Sequence, residues 1–77
     1  MKQEYILEKY NIRDLIKMLA LLEGKTLTRM KVDINHKYFK TDSLENLTNK
    51  LRNGTIKMTE IIEVFDILGY DVLIRKR

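Results

Sequence analysis

Residues 42–53, DSLENLTNKLRN, decide how the rest of the chain is read. At about 100° per residue, Leu44, Leu47 and Leu51 fall on one side of a helix, and the segment is predicted helical. Asp42 and Glu45 have the spacing of a capping box, and Gly54 closes the segment. Glu45, Asn46, Asn49, Arg52 and Asn53 lie opposite the leucines, with Ser43 and Lys50 on the flank. Asn is a poor helix former, and a face built for solvation alone would use Glu, Lys and Gln. Asn matches adenine with one donor and one acceptor, while Arg and Lys suit guanine or phosphate. The outer face therefore has the chemistry of a groove reader; its plain alternative is a polar surface that frays towards Asn53.

The helical pattern extends both ways. Residues 58–68, MTEIIEVFDIL, set Ile61, Val64, Phe65 and Leu68 on one face, with Thr59 as cap and Gly69 as stop. Residues 11–23, NIRDLIKMLALLE, space Ile12, Leu15, Ile16, Leu19 and Leu22 three and four apart. Asn11 can cap that helix, Asp14 stands three residues on, and Gly24 sits where a C-terminal glycine belongs. Residues 27–38 fit a helix stripe through Leu27, Met30, Ile34 and Tyr38, yet they also alternate as a strand would. With no Gly and a cap-like Thr28, they are predicted helical, followed by a turn over 39–42. Residues 70–77, YDVLIRKR, alternate and are β-branched, which predicts one short strand with a basic tail. A lone strand needs a partner for its ladder. That partner is either the same strand of a second chain or the N-terminal extension, residues 1–10, where Tyr5 and Leu7 alternate.

A chain of 77 residues makes one domain. It buries only about 60% of its unfolded surface and has no room for a deep catalytic cavity beside its core. A net charge of +4 points to a polyanion, nucleic acid first and a membrane surface second. With no Cys and a single His, His36, the chain has no thiolate or imidazole cluster for a metal, and no cofactor is expected. No apolar run approaches the roughly 18 residues of a membrane span. Glu4 and Glu8 interrupt what would be a signal core, so the expected compartment is the cytoplasm. Glu60 and Glu63 lie on a helix surface without a pocket, and no glycine loop cradles phosphate, so an enzyme is not expected. Met18, Met30 and Met58 read as core filler. Tyr5, Tyr10, Tyr38 and Tyr70 are too scattered for a stacking platform.

Residues 44–72, LENLTNKLRNGTIKMTEIIEVFDILGYDV, resemble the second half of small Cro/cI-type helix-turn-helix regulators. These are the lambda-repressor-like, Xre class of phages and mobile elements in Firmicutes. Leu47-Thr48-Asn49-Lys50-Leu51 and Leu68-Gly69-Tyr70 carry the likeness. Upstream, EGKTLTRMKVDIN is similar to the start of the motif, with Thr28 capping the scaffold helix and Arg29 where most members have Gln. The resemblance implies a mainly α, four- to five-helix domain with a short C-terminal β-strand. It also implies a sequence-specific double-stranded DNA-binding transcription regulator, expected to repress as a homodimer on a palindromic operator. Residues 43–53 would be the recognition helix in the major groove. Combined with the face chemistry, the candidate DNA contacts are Arg29, Lys40, Ser43, Asn46, Asn49, Lys50 and Arg52. The candidate dimer interface is Tyr70, Val72, Leu73 and Ile74, and Arg75-Lys76-Arg77 would add non-specific attraction. The alternative is a protein-interaction module on the same fold, antitoxin-like or anti-restriction, whose binding would lack the steep salt dependence of DNA.

Overall fold

Four helices form where apolar residues recur three and four apart. In the computed structural model, which describes residues 4–8 and 11–77, they are α1 (Ile12–Leu22), α2 (Leu27–Tyr38), α3 (Leu44–Asn53) and α4 (Met58–Leu68). The ambiguous second segment is a helix, and the chain is mainly helical.

Among the described residues there is no strand. Residues 70–77, expected as a strand, run without regular structure, because residues 4–8 of the extension form no ladder with them and no other described segment does. The Tyr70 N–H instead donates to the Phe65 carbonyl at 2.8 Å, closing α4 behind Gly69, whose φ of 85° suits a residue without Cβ. The N-terminal extension meets this segment through rings. Tyr5 packs edge-on against Tyr70, with centroids 6.2 Å apart. Residues 1–3, 9 and 10 of that extension, Tyr10 included, lie outside the described residues.

The core joins all four helices. Ile16, Leu19, Met30 and Val64 are fully buried, and Leu15, Ala20, Ile34, Leu47, Ile61, Phe65 and Leu68 surround them. The α4 face is the one the spacing predicts. On α1 the stripe turns: Ala20, one turn beyond Ile16, is buried, while Leu22 is 58% exposed. Met30 fills the core, but Met18 and Met58 are on the surface, contrary to their reading as filler.

The expected caps are displaced by one or two residues. Thr26, not Thr28, caps α2, its Oγ1 accepting from the Arg29 N–H at 3.1 Å. Ser43, not Asp42, caps α3, its Oγ accepting from the Asn46 N–H at 3.1 Å. A cap needs extended backbone just before the first turn, and Ser43 has it at φ −85°, ψ 158°. Asp42 turns elsewhere, its carbonyl accepting from Asn35 Nδ2 at 2.7 Å. The α4 helix begins after Lys57, whose N–H donates to the Glu60 carboxylate at 3.4 Å, rather than after Thr59. The Asn11 amide reaches backwards, accepting from the Glu8 N–H at 2.8 Å and donating to the Ile6 carbonyl at 3.0 Å. It thereby ties the extension to α1 instead of capping the helix.

Helices α1, α2 and α4 pack against one another, and α3 rests on α1 and α2. That arrangement seals one side of α3 and leaves the other to solvent.

Candidate nucleic-acid interface

Leu47 is buried and Leu44 and Leu51 are half-buried, which fixes the rotation of α3. Glu45, Asn46, Arg52 and Asn53 are consequently exposed, with Asn49 half-buried beside them. The amphipathic pattern thus sorts the two faces as read. Asn46 keeps its side-chain amide free of partners among the described residues. Arg52 Nη2 donates to Asn49 Oδ1 at 2.6 Å across one turn. Two polar groups leave the outer chemistry: the Ser43 hydroxyl serves as the cap, and the Thr48 hydroxyl donates to the Leu44 carbonyl at 2.9 Å.

The candidate cations around α3 are mostly engaged within the chain. Lys50 Nζ lies 2.9 Å from Glu60 Oε2, and Lys40 Nζ is bonded to Glu63 Oε1. Arg29 Nε is 3.2 Å from one oxygen of Asp33, and Lys25 Nζ is 3.1 Å from the other. Arg29 keeps most of its side chain in solvent, 69% exposed. The hydrogen bond from Lys25 is the main reason the Asp33 carboxyl is held below its usual range. Burial pushes the Glu60 carboxyl up, but Lys50 and the Lys57 N–H outweigh it and the net shift is downward. The same bond raises the Lys50 ammonium above its ordinary value.

Sequence reading missed Lys31 altogether. It is 6% exposed on α2, with Nζ 3.9 Å from Asp42 Oδ2. Desolvation lowers its pKa, and Asp42 offsets only part of that. Lys57 was also passed over. It is exposed beyond Gly54, one connection from Arg52, and has no ion pair among the described residues.

The terminal candidates divide. Tyr70 and Val72 pack partly against the core, whereas Leu73 and Ile74 are 84% and 98% exposed. His36 is exposed, and no cluster of three metal-ligating side chains exists among the described residues. No helix of the described residues is long and apolar enough to cross a membrane. Two open surface grooves, one at Tyr5, Ile6 and Met18 and one at Tyr38, Ile62 and Tyr70, include no residue of α3.

Comparison with protein families, characterised proteins and solved structures finds no match for this chain.

Proposed function

We propose that the protein is a sequence-specific double-stranded DNA-binding regulator, with α2, the following turn and α3 used as a helix-turn-helix and α3 as the reading helix. The observation that carries the reading is the outer face of α3. It presents a free Asn46 amide and a joined Asn49–Arg52 pair while its inner face is sealed by Leu47. A helix of 10 residues is about 15 Å long and fits a major groove about 12 Å wide. Asn46 and Asn49, three residues apart, project into the same groove. Arg52 and Lys57 at the far end of α3, with the tail Arg75-Lys76-Arg77, supply cations for phosphate.

One short helix contacts too few base pairs to select a site, so two copies on a palindromic operator are required. The exposed Leu73 and Ile74 offer a two-fold contact, in which the terminal segment gains the ladder it lacks alone. Occupying the operator represses by exclusion, without cofactor or chemistry. The second reading, a protein-interaction module, draws on the exposed Met18, Leu21 and Leu22 of α1, an apolar surface with no role in DNA contact.

Selection of bound fragments from random duplex DNA tests the proposal, with an enriched palindrome as the expected result. With about 4 to 6 phosphate contacts per dimer, affinity should fall about a hundredfold or more between about 50 and about 200 mM salt. No duplex binding at the lower salt would reject it. Salt-insensitive capture of a protein would favour the second reading.

A further inference from the structure

We propose that Glu60 and Glu63 restrain non-specific DNA attraction by holding Lys50 and Lys40 away from phosphate, leaving readout to Asn46, Asn49 and Arg52. The inference rests on the reading of α3 as the DNA-facing helix. Glu60 and Glu63 stand three apart on α4 and so share one side of it. Glu60 takes Lys50, on the flank of α3, and Glu63 takes Lys40, in the turn that leads into α3. The flanks of a helix lying in a groove are where the phosphate backbones run. Both lysines thus stand near where the phosphates would run, but with their charge already matched by α4.

The pairs are better sheltered than ordinary surface ion pairs, whose median contribution is near zero. The Glu60 and Glu63 side chains are 13% and 19% exposed, and Lys50 and Lys40 are 31% and 28% exposed. Lys31 adds a third cation to the same cluster, facing Asp42, Glu60, Lys40 and Lys50. Three lysines and three carboxylates therefore cancel around the base of α3. For Lys50 to reach a phosphate, it must leave a sheltered Glu60 without its direct ion-pair partner beside a polyanion. Arg52, by contrast, is engaged among the described residues only by a neutral amide and moves without that cost. Non-specific affinity is almost wholly the phosphate term. Suppressing that term while sparing the base readers raises the ratio of specific to non-specific binding.

The test uses the full chain, an operator duplex from the selection above and a scrambled duplex, each titrated across about 50 to 200 mM salt. The variants are Glu60→Gln, Glu63→Gln and the double variant Glu60→Gln with Lys50→Gln, each checked for folding by circular dichroism. Glu60→Gln and Glu63→Gln should each steepen the salt slope on scrambled DNA by about 0.9 per protomer and narrow the preference for the operator. The double variant, equal in net charge to the wild type, should return to the wild-type slope. Unchanged slopes in folded Glu60→Gln and Glu63→Gln overturn the inference, as does a gain that survives loss of Lys50. Should the single variants fail to fold, the double variant decides alone. A slope about one unit shallower than wild type means that Lys50 already contacts phosphate, and the inference falls. A wild-type chain that binds neither duplex rejects the regulator reading itself, before any variant is compared.

Discussion

The Arg52 guanidinium donates to the Asn49 amide oxygen at 2.6 Å, so these two outward-facing side chains of α3 act as one unit. The bond uses one of the two lone pairs on the Asn49 amide oxygen and leaves the other, with both amide donors, open. Bidentate pairing with adenine uses both a donor and the acceptor. If α3 is the reading helix, Asn49 pairs with adenine either with Arg52 still attached or after releasing it. In either case Asn49→Ala should cost about 1 to 3 kcal/mol on the operator and relax preference at one base pair, with little change on scrambled duplex. Binding curves on both duplexes check this, and equal weakening on both would remove Asn49 from the base readers.

Leu47 closes α3 onto the core at 4% exposure. Leu47→Ala should lower stability by about 2 to 4 kcal/mol, a large share of what a domain this small holds. Thermal melts should show this loss while Asn49→Ala melts close to wild type. The reverse order would mean that the faces of α3 are exchanged.

Phe39 ends α2 at φ 55°, in the left-handed region, with its ring 95% exposed. The Cβ costs about 1 to 2 kcal/mol there, and the ring recovers little by burial. Phe39→Gly is expected to raise the melting temperature by about 4 °C or more. A fall would show that the ring makes a stabilising contact.

Removing residues 73–77 takes away Leu73 and Ile74 but leaves Tyr70 and Val72 on the core. If the terminal segment joins two copies, the truncated chain should fold, sediment as a monomer and bind the operator more weakly than the intact chain. Intact protein that sediments as a monomer at every concentration would reject the terminal contact.

Acid should destabilise the fold through three carboxylates. Glu60, Asp33 and Asp66 all titrate below their ordinary values of 4.5, 3.8 and 3.8. For Glu60 this is the net of burial, which raises it, and the bond from Lys50, which lowers it. Hydrogen bonds from Lys25 to Asp33 and from Lys37 to Asp66 lead the other two shifts. A carboxylate depressed in the folded state contributes stability above its unfolded pKa and loses it as pH falls through the folded one. Melting temperature should therefore drop below about pH 4.5, and Asp66→Asn should flatten that drop. An equally steep drop in the variant would place the acid sensitivity elsewhere.

Much of the helical architecture is legible in the sequence, because apolar spacing reports which side of each helix is buried. The same pattern sorts the outer face of α3, since placing Leu47 inside fixes Asn46 and Arg52 outside. The caps are less legible. Thr26 and Thr28, or Asp42 and Ser43, offer similar oxygens, and backbone dihedrals choose between them. The fate of Lys40 and Lys50 is not legible, because their partners lie 23 and 10 residues away and meet them only after α4 has packed. Alternation in residues 70–77 describes a chain able to form a strand, and pairing depends on a second backbone.

The helices are joined by the short connections 23–26, 39–43 and 54–57, so every loop that must close between them is small. Such local topology folds in about microseconds to milliseconds. Transient openings then reclose before a protease can cut, and degradation follows the equilibrium fraction open rather than the height of the unfolding barrier. The lifetime of the protein is thereby tied to its thermodynamic stability, and a substitution in the core would alter its abundance even where the outer face of α3 is untouched.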